Sequence, residues 1–260
     1  MKKKIYPILK RVFKKRNISE KKILLSYTYE RVMPGVNYLN SIKNYWRVVS
    51  GLNKPSLKKC VIFLKKIINT KKYPLTILDN IRSCELGKIL ENSYRATNIA
   101  FIEEWSRFAE QTKIDIYKVI EAIRLRPTHS NIRHPGFGVG GYCLTKDPYF
   151  GEYSAKKIWK KYNLDFPFTK KAIEINKTMP LVSLEKISNI YNKRLKNKKI
   201  LIMGMSYKED VGDLRSSPSL YFIKNCLNRG MLVSWHDPYI KDFEVKNTLK
   251  LKKLKMLSQF

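Results

Sequence analysis

A chain of 260 residues, 43% hydrophobic and 12% aromatic, can bury a core and divide into two or three compact units, which excludes a disordered class. Its formal charge of +32 comes from 53 Lys+Arg against 21 Asp+Glu, yet lysines outnumber arginines about three to one and lie on nearly every segment. A phosphate-reading surface concentrates charge and favours arginine, so the scatter argues against nucleic acid as the partner.

The opening MKKKIYPILKRVFKK has no apolar run of signal-peptide length, and no stretch approaches the roughly 18 apolar residues of a spanning helix. No membrane partner is expected. KILLSY (22–27) reads as a short strand that Pro34 and Gly35 interrupt, with Glu30 just beyond its end. WRVVSG (46–51) reads as a second strand, and Lys54 to Ile68 has helical spacing. Ser83 to Thr112 reads as the longest helix. Asp115 to Arg124 is a second one, stopping before Pro127. The Gly- and Pro-rich stretch RPTHSNIRHPGFGVGGYCLTKDPYF then suggests a functional loop. Helical patterning returns from Thr169 to Arg194, with a break or kink expected at Pro180. Ile200 to Met203 is a buried strand, Ser217 to Asn228 a helix, and MLVSWHDPYI (231–240) the next strand. This is a βαβ unit, and the lysine-leucine tail offers it no third strand.

The cysteines, Cys60, Cys84, Cys143 and Cys226, form no CxxC pair and have no His at ligand spacing. Neither a metal site nor a disulfide framework is expected, and a reducing cytoplasm fits. Gly136, Gly138 and Gly141 formally satisfy GxGxxG, but no strand precedes them and no helix follows, so the dinucleotide fingerprint is rejected. Glycines here, Gly140 included, suit close backbone approach to a ligand instead. Cys143 follows at once, with Lys146 and Asp147 beyond it. Positive charge near a thiol favours its nucleophilic thiolate, although a lone cysteine is more often a small buried hydrophobe. Lys88 and Asn92, four residues apart on the long helix, share a face and could offer an ammonium and an amide to one oxyanion. A solvated lysine beside a surface Asn is the plainer reading.

Four blocks, SYTYERVMPG, GKILENSYRATNIAFIEEWSRFAE, HPGFGVGGYCLTKDPYF and ILIMGMSYKEDVGDLRSSPS with downstream HDPYI, resemble the UDP-glucose/GDP-mannose dehydrogenase family in order and spacing, from about Ser26 to Ile240. The resemblance implies an α/β chain: a remnant of a Rossmann-like NAD-binding domain (1–80), a central helical domain with one long helix (81–195) and an incomplete C-terminal Rossmann-like, nucleotide-sugar-binding domain (196–260). It implies NAD-dependent oxidation of a nucleotide-sugar C6 alcohol to a uronic acid, feeding polysaccharide synthesis. Cys143 would carry a thiohemiacetal and then a thioester, Lys88 and Asn92 would stabilise the oxyanions, and Asp147 would position water. Glu30 would assist hydrolysis, although Tyr29 stands where the family's S-P-E-R-V segment has Pro. Lys208 would meet the substrate's phosphates and Arg215 the cofactor's, while Arg133 and the loop amides of Gly136, Gly138, Gly140 and Gly141 would line the sugar-nucleotide pocket. The long helix would form a homodimer. Because a glycine fingerprint at the start is missing, the chain reads as a truncated product or as one half of a split enzyme with a separate NAD-binding polypeptide. The alternative is a non-catalytic dimerising module that binds sugar nucleotides or nucleic acid.

Overall fold

A computed structural model describes residues 1–160, 164–241 and 252–253. The chain divides into two compact units, Met1–Glu91 with Tyr153–Leu164, and Asn92–Glu152 with Asp165–Phe260.

The first unit opens with a helix that was not among the expected elements, α1 (Ile5–Lys15). Its Tyr6, Leu9 and Phe13 share one face and pack against buried Ile23, Leu25 and Ile81. Lys14 and Lys15 in the last turn complement the helix dipole. Strand β1 (Ser26–Tyr29) starts later than expected, because Glu20–Lys22 form a 3₁₀ turn in which Ser19 Oγ accepts the Lys21 N–H. A short helix, α2 (Tyr38–Lys43), precedes β2 (Val48–Gly51). Helix α3 (Lys54–Ile67) is capped by the Asn53 side chain, which accepts from the Ser56 N–H at 2.9 Å, and has Pro in its first turn. Strand β3 (Thr76–Ile77) completes a mixed sheet, with β1 antiparallel to β2 (Tyr29 opposite Val48) and β3 parallel to it (Val49 beside Ile77). Val49 packs there with Leu64 and Ile68 of the α3 side, and Tyr29 and Val48 pack with Cys84.

The 31-residue helix α4 (Ile81–Gln111) begins in this unit and continues into the second. There α5 (Ile116–Arg124) starts from Asp115, whose carboxylate accepts the N–H groups of Tyr117 and Lys118 at 3.1 and 3.4 Å. A short helix, α6 (Phe150–Tyr153), runs into a π-helical turn, Ser154–Trp159. Helix α7 (Pro167–Ile190) continues through Pro180, so of the expected break or kink the break does not occur. Losing one backbone bond is outweighed by a buried face that includes Ala172, Ile173, Met179 and Leu184 on both sides of the proline.

Strand β4 (Lys199–Met203), helix α8 (Pro218–Asn228) and strand β5 (Leu232–His236) form the expected βαβ unit, with Ile202 beside Trp235 in parallel register. The expectation of only two strands is corrected by β6 (Lys252–Lys253), which pairs parallel to β5. A strand of two lysines gives no apolar pattern for a sequence reading to find. Leu184, Met205, Phe222, Ile223, Cys226 and Trp235 form the core here, and each fully buried large side chain contributes about 1.5–3 kcal/mol. Among the described residues no helix is long and apolar enough to cross a membrane.

Candidate active site

The Cys143 loop takes its shape from backbone bonds. The carbonyl of Cys143 accepts the N–H groups of Lys146 (3.2 Å) and Asp147 (2.9 Å), and the Gly141 N–H donates to the Arg215 carbonyl at 2.9 Å. Thr145 Oγ1 donates to the Gly141 carbonyl at 2.7 Å. The tight turn leaves the Cys143 side chain exposed, while Cys84 and Cys226 are buried and Cys60 is half-buried. Burial pushes the Cys226 thiol up to about 11.

The glycines of this loop have a reason that the sequence did not disclose. A Cβ on Gly140 would lie 2.4 Å from Tyr207 Cβ and 2.9 Å from the Ser216 carbonyl oxygen. One on Gly138 would lie 2.6 Å from Pro218, and one on Gly141 2.8 Å from the Tyr207 ring, with Gly141 also at φ +80°. Three of the four glycines therefore make room for the protein's own side chains. Only Gly136 has nothing within 4 Å. The loop follows a 3₁₀ turn (Pro127–His129) and leads into another (Asp147–Tyr149), so no strand and α-helix flank the glycines. The other glycine turn, after β4, is also occupied: the Asp237 carboxylate accepts the Met205 and Ser206 N–H groups at 2.8 and 3.0 Å, where a phosphate would otherwise sit. Neither of these two glycine turns fits the pyrophosphate of a dinucleotide.

Polar side chains gather beside the thiol loop. Asp147, 7% exposed, accepts from the Asn92 amide at 2.7 Å and pairs with Lys146 Nζ at 2.6 Å. Asn92 is itself 1% exposed, and its amide keeps a second N–H. The Lys146 ammonium also lies over the Tyr142 and Phe150 rings, 4.7 and 4.8 Å from their centroids. Arg215 grips Asp213 through bonds of 2.6–3.0 Å, which holds the Asp213 carboxyl below its ordinary value. Burial raises the Tyr207 phenol, with Asp213 adding to the rise, Arg215 opposing it and Cys143 contributing a smaller upward push. Arg215 and Tyr207 thus share the thiol's electrostatic neighbourhood.

In the first unit, Lys88 Nζ donates to the Glu30 carbonyl at 2.8 Å and lies 3.7 Å from its carboxylate. The Glu30 carboxylate also accepts the Val32 N–H. Arg31 forms a two-pronged contact with Glu91 at 2.9 and 3.1 Å. Of the sequence candidates, the structure therefore brings Glu30 to Lys88, and Asn92 to Asp147 beside Cys143. Lys88 and Asn92 lie one turn apart on α4. Arg133 is exposed and engages Asn98 through its backbone N–H at 3.0 Å, and Lys208 is half-buried. Tyr207 and Asp213 join this neighbourhood without having been candidates, and Lys146, expected as positive charge near the thiol, pairs with Asp147. Asp213 could have been suspected two residues before Arg215, but nothing in the sequence ties Tyr207 to the glycines. Among the described residues no group of three or more His, Cys, Asp or Glu side chains could hold a metal ion.

Residues 82–178 match the central domain of the UDP-glucose/GDP-mannose dehydrogenase family, and residues 201–260 match that family's UDP binding domain. The UDP-N-acetyl-D-mannosamine dehydrogenase of Methanocaldococcus jannaschii is 32% identical over 232 residues, covering 89% of this chain and 50% of the relative. The UDP-glucose 6-dehydrogenase of Rickettsia bellii is 31% identical over 217 residues, covering 79% of this chain and 48% of the relative. Among solved structures, the UDP-D-ManNAc dehydrogenase of Pyrococcus horikoshii superposes with a TM-score of 0.72 at 28% identity, over 83% of this chain and 49% of that one. The chain spans about half the length of the curated relatives it matches.

Proposed function

The chain belongs to the UDP-glucose/GDP-mannose dehydrogenase family, and from that premise we propose that it carries the thiol centre of a nucleotide-sugar 6-dehydrogenase, which oxidises a UDP-sugar C6 alcohol to the carboxylate. Members of the family use NAD, which accepts the electrons of both oxidations. Neither of those two glycine turns fits that cofactor's pyrophosphate, and an NAD-binding domain of the family, in the same protein or in a separate polypeptide, would cradle it, with Arg215 meeting its phosphates from this chain. This chain's own contribution is the covalent chemistry. The Cys143 thiolate adds to the aldehyde carbon of the half-oxidised sugar, and the carbonyl oxygen takes up the electron pair as an oxyanion. The second N–H of Asn92 and the ammonium of Lys88 are the donors for that oxyanion. At the thioester stage Asp147 orients the water that releases the acid and frees the thiol, with Glu30 assisting. Lys208 and Arg215 bind phosphates, and Arg133 and the amide of Gly136 line the sugar-nucleotide pocket.

One observation carries the reading: a buried amide–carboxylate pair, Asn92 with Asp147, sits one backbone turn from an exposed thiol. Supporting the UDP-sugar class are the relatives named for UDP-N-acetyl-D-mannosamine and UDP-glucose. The site's association as a homodimer is part of the proposal, supported by an apolar stripe on α4. Leu86, Leu90, Tyr94, Phe101, Trp105 and Phe108 fall on one side of that helix and are each 50–63% exposed.

The test is acid and NADH formation from UDP-N-acetyl-D-mannosamine and UDP-glucose by this chain combined with an NAD-binding domain of the family. The wild-type combination should form acid and Cys143→Ser should not, because an alkoxide is harder to generate than a thiolate. Acid formation by Cys143→Ser at the wild-type rate would remove the thiol from the mechanism.

A further inference from the structure

Positive charge is spread over the whole chain, yet on one helix it is organised around an apolar row. Between Met1 and Ser19 there are eight lysines and arginines and no acidic residue, about twice the cation density of the whole chain, which has 53 in 260 residues. They lie on or beside α1 (Ile5–Lys15). One side of that helix is committed to the core, where Tyr6, Leu9 and Phe13 pack against Ile23, Leu25 and Ile81. Along the edge of that side, Ile5, Ile8 and Val12 form a row at the i, i+3, i+7 spacing, and they are 41%, 50% and 40% exposed. Lys4, Arg11 and Lys15 border the row on its outer flank, each one turn from Ile8 or Val12. All three are exposed and have no ion-pair partner among the described residues, whereas Lys10 pairs with Glu20 at 3.0 Å and Lys3 lies over the Trp159 ring at 3.8 Å. Helix α3 is basic too, but its exposed Ile62 and Phe63 are separated around the helix by Lys59 and Lys66, so it has no continuous row.

An aliphatic row bordered by free cations is matched by a surface that is apolar beneath and anionic above. A nucleic-acid duplex offers the phosphates but no apolar layer for Ile5, Ile8 and Val12. A bilayer containing acidic lipids offers both. At 11 residues the helix is roughly 16 Å long, too short for the roughly 30 Å hydrocarbon core, so it can lie along such a surface but not cross it. We propose that α1 docks this chain on an anionic lipid bilayer. Ile5, Ile8 and Val12 enter the boundary between headgroups and acyl chains, while Lys4, Arg11 and Lys15 reach the lipid phosphates on their flexible stems. Because Tyr6, Leu9 and Phe13 already hold the helix folded, docking carries no cost of ordering it. The proposal stands apart from the dehydrogenase reading, since none of these residues belongs to the thiol site.

The test is co-sedimentation of the full chain with vesicles of equal parts phosphatidylglycerol and phosphatidylcholine, against vesicles of phosphatidylcholine alone. The chain should bind the first and not the second. Lys4→Gln, Arg11→Gln and Lys15→Gln together should weaken binding about a hundredfold, at a factor of about five for each cation near an anionic surface. Lys58→Gln, Lys59→Gln and Lys66→Gln, exposed on α3, remove the same charge and should change it less than about twofold. Ile5→Ser, Ile8→Ser and Val12→Ser together should weaken it at least about tenfold at unchanged charge and melting temperature. Ile8→Trp should strengthen it, with the added indole emission moving to the blue when vesicles are present. No binding, equal binding to both vesicle types, or equal losses from the two charge sets would overturn the proposal. Serine variants that bind like wild type would also overturn it, by reducing the contact to charge alone. So would release from the vesicles on adding an NAD-binding domain of the family, which would assign the apolar row to that domain. Failure of the Cys143 experiment would leave the proposal untouched.

Discussion

Replacing Asn92 by Leu keeps roughly the shape of the side chain and removes the amide that serves Asp147. Both groups are buried, at 1% and 7% exposure, and their contact is 2.7 Å. After the change Asp147 Oδ2 loses its amide donor, while Oδ1 keeps Lys146. A buried acceptor without a partner is destabilising by about 1–3 kcal/mol, and by more when it is charged, so we expect about 2–3 kcal/mol. For a chain of this size that lowers the melting temperature by roughly 5–10 °C. Urea unfolding of Asn92→Leu, Asp147→Ala and the double variant measures the pair directly, with a coupling of about 1–2 kcal/mol expected. Lys146→Ala is the control: its side chain is 37% exposed, so solvent screening limits that loss to less than about 1 kcal/mol. An Asn92→Leu chain within about 0.5 kcal/mol of wild type, or strictly additive losses in the cycle, would show that the contact does not hold the site together.

Gly140→Ala should destabilise by about 3 kcal/mol or more, because its new methyl would sit 2.4 Å from Tyr207 Cβ and 2.9 Å from main-chain oxygen. Gly136→Ala, facing open space, should stay within about 0.5 kcal/mol in the same denaturation assay; equal effects would refute the packing account of the loop. Burial by itself raises the Asp237 carboxyl, but N–H donors from Met205, Tyr239 and Ser206 prevail and leave it lowered. Its folded value therefore lies below the ordinary 3.8, so its stabilisation is present above that pH and is lost as pH falls through the folded value. Asp237→Asn should flatten the acid limb of the stability curve, and an unchanged limb would count against those bonds. Leu90→Glu with Trp105→Glu, on the exposed α4 stripe, should convert a dimer to a monomer in sedimentation analysis; an unchanged mass would place any self-association elsewhere.

Periodicity made most of the fold legible. Apolar spacing pointed to helices α4, α5 and α7 and to the strand–helix–strand of β4, α8 and β5, although β4, read as a buried strand, buries only Ile202. Helix α1 was legible, since Ile5, Ile8, Leu9, Val12 and Phe13 recur at i, i+3, i+4, i+7 and i+8 on one side, but the surrounding lysines drew the reading away from that spacing. On that one side Tyr6, Leu9 and Phe13 pack inward, whereas Ile5, Ile8 and Val12 along its edge stay exposed. At Pro180 the helix does not break, because a local breaker signal takes no account of the packing on either side of it. In the candidate site, the turn joining Cys143 to Asp147 was legible because those residues are near neighbours. The bond between Asn92 and Asp147, 55 positions apart, was not, and neither was the demand of Tyr207 for glycine at 140 and 141. Both are facts of three-dimensional contact, which spacing along a chain does not encode.

The moulding of the thiol loop against Tyr207 and Pro218 also orders events during synthesis. Seventy-five positions separate Cys143 from Pro218, and at roughly 5–20 residues per second a ribosome needs on the order of 4–15 seconds to cover them. Through that interval the surface that shapes the loop does not yet exist. The nascent chain therefore carries its exposed sulfur on an unformed segment, open to oxidants and stray electrophiles, before the template that organises it emerges.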